Sequence, residues 1–126
     1  MANVEIRKNG NQELGDRFYK FALKAIKLVG TLPKNIAGYE IGKQLVRAAM
    51  SVSGNYEEAR GAYTKPDFAF KLSICFKEAR ESYNWLTMIK DSGLLAGKDI
   101  DEAIKEGAQI RNILGKSVET AKKHAK

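Results

Sequence analysis

Leu14, Phe18, Phe21, Ala25 and Leu28 follow one another at intervals of 4, 3, 4 and 3 residues, and the rhythm returns three more times along the chain. Apolar residues at that spacing line one face of a 3.6-residue helix. The second stripe is Ile41, Leu45, Ala48, Val52, Asn55 and Ala59. The third is Phe68, Leu72, Cys75, Ala79, Ser82, Leu86 and Ile89. The fourth is Ile100, Ala103, Gly107, Ile110, Leu114, Ser117 and Ala121. No segment alternates with period two, so no strand is predicted.

Breaks fall between the stripes. Gly30 and Pro33 end the first helix. Helix 2 is expected to start near Tyr39 and to stop at Gly61. Thr64-Lys65-Pro66-Asp67 reads as a start: Thr64 caps, and Pro66 suits a first turn. Helix 3 then runs to about Ser92. Asp99, paired with Glu102, is expected to cap helix 4. Short connections between four helices predict an all-α protein, an antiparallel up-down-up-down four-helix bundle over residues 13–123, with residues 1–12 as a flexible N-terminal tail. Helix 3 is apolar on several sides. Phe70, Ile74, Trp85 and Met88 widen its stripe, and Phe76 and Tyr83 lie on yet another side. Part of it is therefore expected to face another subunit.

The 126 residues suffice for one domain with a core. No run approaches the roughly 18 apolar residues of a membrane span, and no apolar leader opens the sequence. The single cysteine, Cys75, cannot form an internal disulfide. These features predict a cytoplasmic protein that is not bound to a membrane.

Catalytic constellations are missing. The one histidine is His124, near the end of the chain. The Glu-x-x-His pairs of helical di-iron sites do not occur, and no Gly-rich phosphate loop follows a strand. Cys75 sits on a core stripe, where a thiol behaves as a small hydrophobe. Glu57, Glu58, Glu78 and Glu81 are spaced like ordinary helix charges, with Lys77 four residues before Glu81. No enzymatic activity, cofactor, metal or small-molecule substrate is expected.

The net charge is +7, unevenly spread. Residues 14–50 carry seven Lys/Arg against two Asp/Glu, residues 51–110 carry eight against ten, and residues 111–126 carry five against one. Arg17, Lys20, Lys24 and Lys27 repeat at 3, 4 and 3, each one position before a core residue. They form a ridge beside the apolar stripe, and Lys34, Lys43 and Arg47 continue the basic surface. Such a ridge can track a phosphate backbone and displace its counterions, so RNA or DNA is a candidate partner. Arg111, Lys116, Lys122, Lys123 and Lys126 add to the field. The alternative is a protein-interaction scaffold with a merely solubilising basic surface.

Asn55 puts an amide in a core row, with Glu58 one turn on. Burial of either requires partners. The expectation is a polar cluster fixing helix register and subunit docking, with Arg47, Arg60, Lys77 and Arg80 as donors. Phe76, Tyr83 and Trp85 are the apolar candidates for the same interface.

The stretch QLVRAAMSVSGNYEEARGAYTKPDFAFKLSICFKEARESYNWL, residues 44–86, resembles a four-helix-bundle family first noted as reading frames within intervening sequences of bacterial large-subunit ribosomal RNA genes. The residues that carry the resemblance are Gln44, Arg47, Ala48 and Ser51; Asn55 and Glu58; Asp67 and Phe68; and Lys77, Glu78, Ala79, Glu81, Trp85 and Leu86. Tyr56 and Ala59 stand where many members have Ile and Gly. The resemblance implies an up-down bundle assembled as a ring-like homopentamer, with no known catalytic activity. A distant relative, the accessory protein of diversity-generating retroelements, is a basic pentamer that binds nucleic acid and a reverse transcriptase. That relation is one of fold. The "ribosomal" label reflects gene location, and a ribosomal subunit is not expected.

Overall fold

A computed structural model describes residues 10–125 as four helices: α1 (Gly10–Val29), α2 (Ile36–Arg60), α3 (Lys65–Asp91) and α4 (Lys98–His124). No strand occurs among the described residues. Each helix packs on the next in the sequence, and α1 closes more sparsely against α4. This is the up-down four-helix arrangement that the stripes predict. The stripes supply its core: Phe18, Leu45, Leu72, Leu86, Ile89, Ile100, Ile110 and Leu114 are all at most 2% exposed. Phe18 meets Tyr56 edge-on, ring centroids 4.9 Å apart at 86°, which ties α1 to α2.

Several boundaries differ from the sequence reading. Helix α1 begins at Gly10, three residues before the predicted domain start. Gln12 is buried: its Oε1 accepts from Arg60 Nη2 at 2.6 Å, and its Nε2 donates to Asp16 at 3.3 Å. The remainder of the predicted tail, residues 1–9, lies outside the described residues. Helix α2 begins at Ile36 rather than Tyr39, because Asn35 caps it with Oδ1 accepting from Gly38 N at 2.8 Å. Asp99 is not the cap of α4. Gly97 holds that position at φ +113° and the helix is running by Lys98, so Asp99 lies in the first turn, where its charge complements the helix dipole.

The other stops are as expected. Thr64 Oγ1 accepts from Asp67 N at 3.2 Å, and Pro66 lies in the first turn of α3. Gly93, at φ +79°, closes α3: its N–H reaches Lys90 O and that of Leu94 reaches Ile89 O, a Schellman turn.

Asn55 leaves the core row. The buried set of α2 runs Leu45, Ala48, Ala49, Val52, Tyr56 and Ala59. Two residues so close to the seam compete for one place, and the larger apolar Tyr56 wins it. Asn55 is half-buried and donates Nδ2 to Ser51 O at 2.8 Å, which satisfies it within its own helix.

Candidate nucleic-acid interface

Arg17, Lys20, Lys24 and Lys27 lie along the edge of α1 beside α4, and α4 answers with carboxylates. Arg17 donates Nε to Glu106 Oε2 at 2.9 Å and Nη2 to Glu106 Oε1 at 2.6 Å, and it also reaches Gln109 Oε1 at 2.7 Å. Lys24 pairs with Glu102 at 3.5 Å. On α2, Lys43 pairs with Glu40 at 3.7 Å, and Arg47 crosses to Glu81 on α3 at 3.4 Å. Lys20, Lys27 and Lys34 are exposed and make no ion pair among the described residues. The ridge therefore exists, but folding neutralises part of it.

The Arg17–Glu106 pair is bidentate and about two-thirds buried on each side. The hydrogen bond from Arg17 holds the Glu106 carboxyl below its ordinary value, against the opposing effect of burial, and the charge of Arg17 adds to it. A lowered folded value means the stabilisation is present above the ordinary Glu range, about 4.3, and is lost as pH falls through the lowered value. Glu106→Gln is expected to cost about 1 kcal/mol at neutral pH. The gap in melting temperature from the wild type should close as pH drops below that range. A gap that is constant with pH would assign the cost to packing.

The motif residues of α2 and α3 fall on one outer seam. Gln44, Arg47, Ser51, Asn55 and Glu58 step along one face of α2, and Glu78, Glu81 and Trp85 along one face of α3. Arg47 holds Gln44 as well as Glu81, and Ser51 donates to Arg47 O at 2.7 Å. Glu81 is thus taken by Arg47 and not by Lys77. The predicted cluster of Asn55, Glu58 and Arg80 does not form within one chain. Glu58 is exposed without an ion pair among the described residues, and the Arg80 guanidinium lies 5.7 Å from the Phe76 ring centroid. Glu78 Oε1 and Trp85 Nε1 are buried with no hydrogen-bond partner among the described residues. Burial, and then the neighbouring Glu81, push the Glu78 carboxyl above its ordinary value.

Phe76 and Tyr83 are half-buried against α4. A Cβ at Gly115 would stand 3.3 Å from the Phe76 ring, and the Arg111 guanidinium stacks 4.2 Å from the Tyr83 centroid. Cys75 is buried and donates Sγ to Val52 O at 3.1 Å. Burial pushes its thiol up to about 12, which suppresses the reactive thiolate. No group of three or more His, Cys, Asp or Glu among the described residues is placed to hold a metal ion. None of the described helices is long and apolar enough to cross a membrane.

The sequence reading placed the leftover apolar surface on α3, and Phe70 and Met88 are indeed exposed there. More of it lies on α1 and α2, where Tyr19, Leu23, Ile26, Tyr39 and Met50 are 44–58% exposed. Gly15 faces Tyr56 and Glu57, and Gly42 faces Val29, so α1 and α2 run antiparallel with their glycines at the closest approaches. Val29, Leu32, Tyr39, Val46 and Met50, with Lys34, Lys43 and Arg47, line a groove of about 570 Å³. The signal was present in the sequence as a second stripe on α1, Tyr19, Leu23, Ile26 and Gly30, hidden by its proximity to the first.

The model of the 23S rRNA-intervening sequence protein family matches residues 11–116. The chain belongs to that family. The match bears out the resemblance carried by residues 44–86 and extends it across all four helices. A crystal structure from Bacteroides thetaiotaomicron, of a protein with unknown function from the S23 ribosomal protein family, superposes with a TM-score of 0.78. It is 24% identical, and the alignment covers 86% of this chain and 97% of that one. At that identity the likeness is one of fold. No curated protein matches the chain. Neither the family's description nor that of the solved structure names an enzymatic activity.

Proposed function

We propose that this chain is a non-enzymatic, homo-oligomeric helical bundle that binds nucleic acid through its basic surface. The observation that carries the reading is the charge left over after folding. Four of the seven candidate cations are held by carboxylates, yet Lys20, Lys27 and Lys34 stay exposed without an ion pair among the described residues. The chain as a whole keeps a net +7. Repetition around an oligomer multiplies that field.

Assembly is supported by two unlike faces. One is the apolar strip of Leu23, Ile26 and Met50. The other is the α2/α3 seam, with exposed Phe70 and Met88 and the unpartnered buried atoms of Glu78 and Trp85. Two different patches on one chain suit a head-to-tail contact, and such contacts close into rings when the rotation allows. The resemblance implies five copies. The partial neutralisation of the ridge favours the second reading, a scaffold for other proteins whose lysines only keep it in solution.

Size-exclusion chromatography with light scattering, and an ultraviolet absorbance ratio that separates protein from nucleic acid, tests both parts. The expected particle is several times the 14.0 kDa chain. Labelled single- and double-stranded RNA and DNA should bind at low salt. Three phosphate contacts imply a loss of roughly twenty- to fortyfold in affinity between about 50 and 200 mM salt. Lys20→Glu with Lys27→Glu should weaken binding further. A monomeric particle would sink the assembly. Failure of every probe at low salt, with an intact oligomer, would leave the scaffold reading in its place.

A further inference from the structure

We infer that the depression between α3 and α4 around Arg80 and Arg111 is a phosphate-binding site for single-stranded nucleic acid, with one base stacked on the Arg111 guanidinium. The inference rests on the proposed nucleic-acid binding and adds to the lysines of α1 a second, separate contact on the chain.

The depression holds about 440 Å³ and is lined by Lys77, Arg80, Glu81, Tyr83, Asn84 and Arg111. That volume falls within the roughly 300–1,000 Å³ of small-ligand pockets. Lys77, Arg80 and Arg111 make no ion pair among the described residues, and the one carboxylate in the lining, Glu81, is held by Arg47 of α2 at 3.4 Å. The predicted Lys77–Glu81 pair would have cancelled part of this charge. Arg47 shares the Glu81 charge instead, so three cations without an ion pair among the described residues line one hollow. Lys20, Lys24 and Lys27 of the α1 ridge do not line it.

The two arginines are also held in shape. The Arg111 guanidinium is stacked on Tyr83 at 4.2 Å from the centroid, and that of Arg80 lies over Phe76 at 5.7 Å. The closer stacking of Arg111 orients its fork before any ligand arrives, so less of its side-chain freedom is lost on binding. Arg111 offers two things at once. Its Nε and Nη2 share the Asn112 Oδ1 at 3.4 Å, which a phosphate oxygen would have to displace, while its Nη1 is left to donate. The face turned away from the tyrosine offers a surface on which a base can stack. The Asn84 amide, beside it, carries a donor and an acceptor for a base edge. Gly115 lets the Phe76 ring lie close to α4, because a Cβ there would stand 3.3 Å from it.

A carboxylate-rich peptide would satisfy the charge but would leave the stacking face unused. A duplex presents its phosphates but keeps its bases stacked on one another. The combination of cation and flat face favours an unpaired strand.

The test uses the full chain and a labelled single strand of about 20 nucleotides, longer than the roughly 4–16 nucleotides of typical single-strand sites. Binding is followed by fluorescence anisotropy across a salt series, beside a duplex of equal length and unlabelled polyglutamate as competitor. Arg80→Ala with Arg111→Ala is expected to weaken single-strand binding at least tenfold and to lower the salt slope by about 1.4, two phosphates at roughly 0.7 each. Arg111→Lys, which keeps the charge and loses the plane, should hold the slope but narrow the preference for single strand over duplex. Lys77→Glu, exposed and stacked on nothing, repeats the charge test without touching packing; circular dichroism melts check that each variant is folded. Wild-type binding that the Arg80/Arg111 double variant retains within twofold, but that Lys20→Glu with Lys27→Glu abolishes, overturns this site and leaves the proposed function standing. Absence of wild-type binding to any strand overturns both. Competition by polyglutamate as effective as that by an unlabelled strand of equal charge would reduce the site to a general polyanion contact and refute the stacked base.

Discussion

Phe18→Ala should lower the melting temperature by roughly 12–20 °C, measured by circular dichroism at fixed protein concentration. The Phe18 ring is 0% exposed and lies at the meeting of α1 with α2. Truncating a buried phenylalanine costs about 3–5 kcal/mol, because the lost transfer free energy is joined by that of the cavity. The edge-to-face contact with Tyr56, at 4.9 Å, contributes about 0.5–1.5 kcal/mol of that total. Little else can compensate. Helix α1 touches α4 only sparsely, and Gly15, where it passes Tyr56, has no side chain to fill the gap. In a chain of this size each kcal/mol shifts the midpoint by about 4 °C. A loss under about 1 kcal/mol would mean that α1 is held mainly by something other than this aromatic pair.

Gly38→Ala is expected to cost about 2–3 kcal/mol although alanine is the better helix former. A Cβ at residue 38 would stand 1.9 Å from the Pro33 carbonyl oxygen and 3.1 Å from its carbon. Those are backbone atoms of the turn that leads into the Asn35 cap of α2, so neither can swing aside as a side-chain tip could. Relief requires moving residues 33–35, which breaks the cap and withdraws Leu32 from the core. Gly54→Ala on the same helix provides the opposite sign. Nothing lies within 4 Å of its Cβ, so the gain in helix propensity, up to about 1 kcal/mol, should appear as a higher midpoint. Chemical denaturation of the two variants beside the wild type gives both values. A neutral Gly38→Ala would show that the turn yields more easily than its geometry indicates.

How much could be read in advance varied with the kind of interaction. Stripes with a 3.6 period are repeated many times over, so a helix declares itself even when one position misleads. Caps depend on a single residue. Asn35 gives no signal in the pattern, because the apolar stripe of α2 begins later than its hydrogen bonds. The Asp99 side chain fits a capping role, whereas Gly97 reaches a backbone conformation that starts the helix sooner. Asn55 and Tyr56 sit side by side at the seam, and a stripe counted in whole residues cannot say which of two neighbours turns inward.

The charges divide the same way. The lysine and arginine ridge of α1 is a property of spacing along one helix, and it was legible. Whether each cation is free depends on what another helix places beside it. Glu106 lies 89 residues from Arg17 along the chain, and no local pattern links them. Likewise, only packing shows that Arg47 takes Glu81 and leaves Lys77 free beside Arg80 and Arg111.

The sequence alone determined four amphipathic helices, their order, their approximate ends, an excess of positive charge and the family. Those features are set by residues within a few turns of one another and by their summed charge. The tertiary structure alone decided which basic residues stay available and which apolar residues stay exposed. Both depend on the register and facing of helices far apart in the chain, where a shift of one turn would pair a different carboxylate with a different arginine.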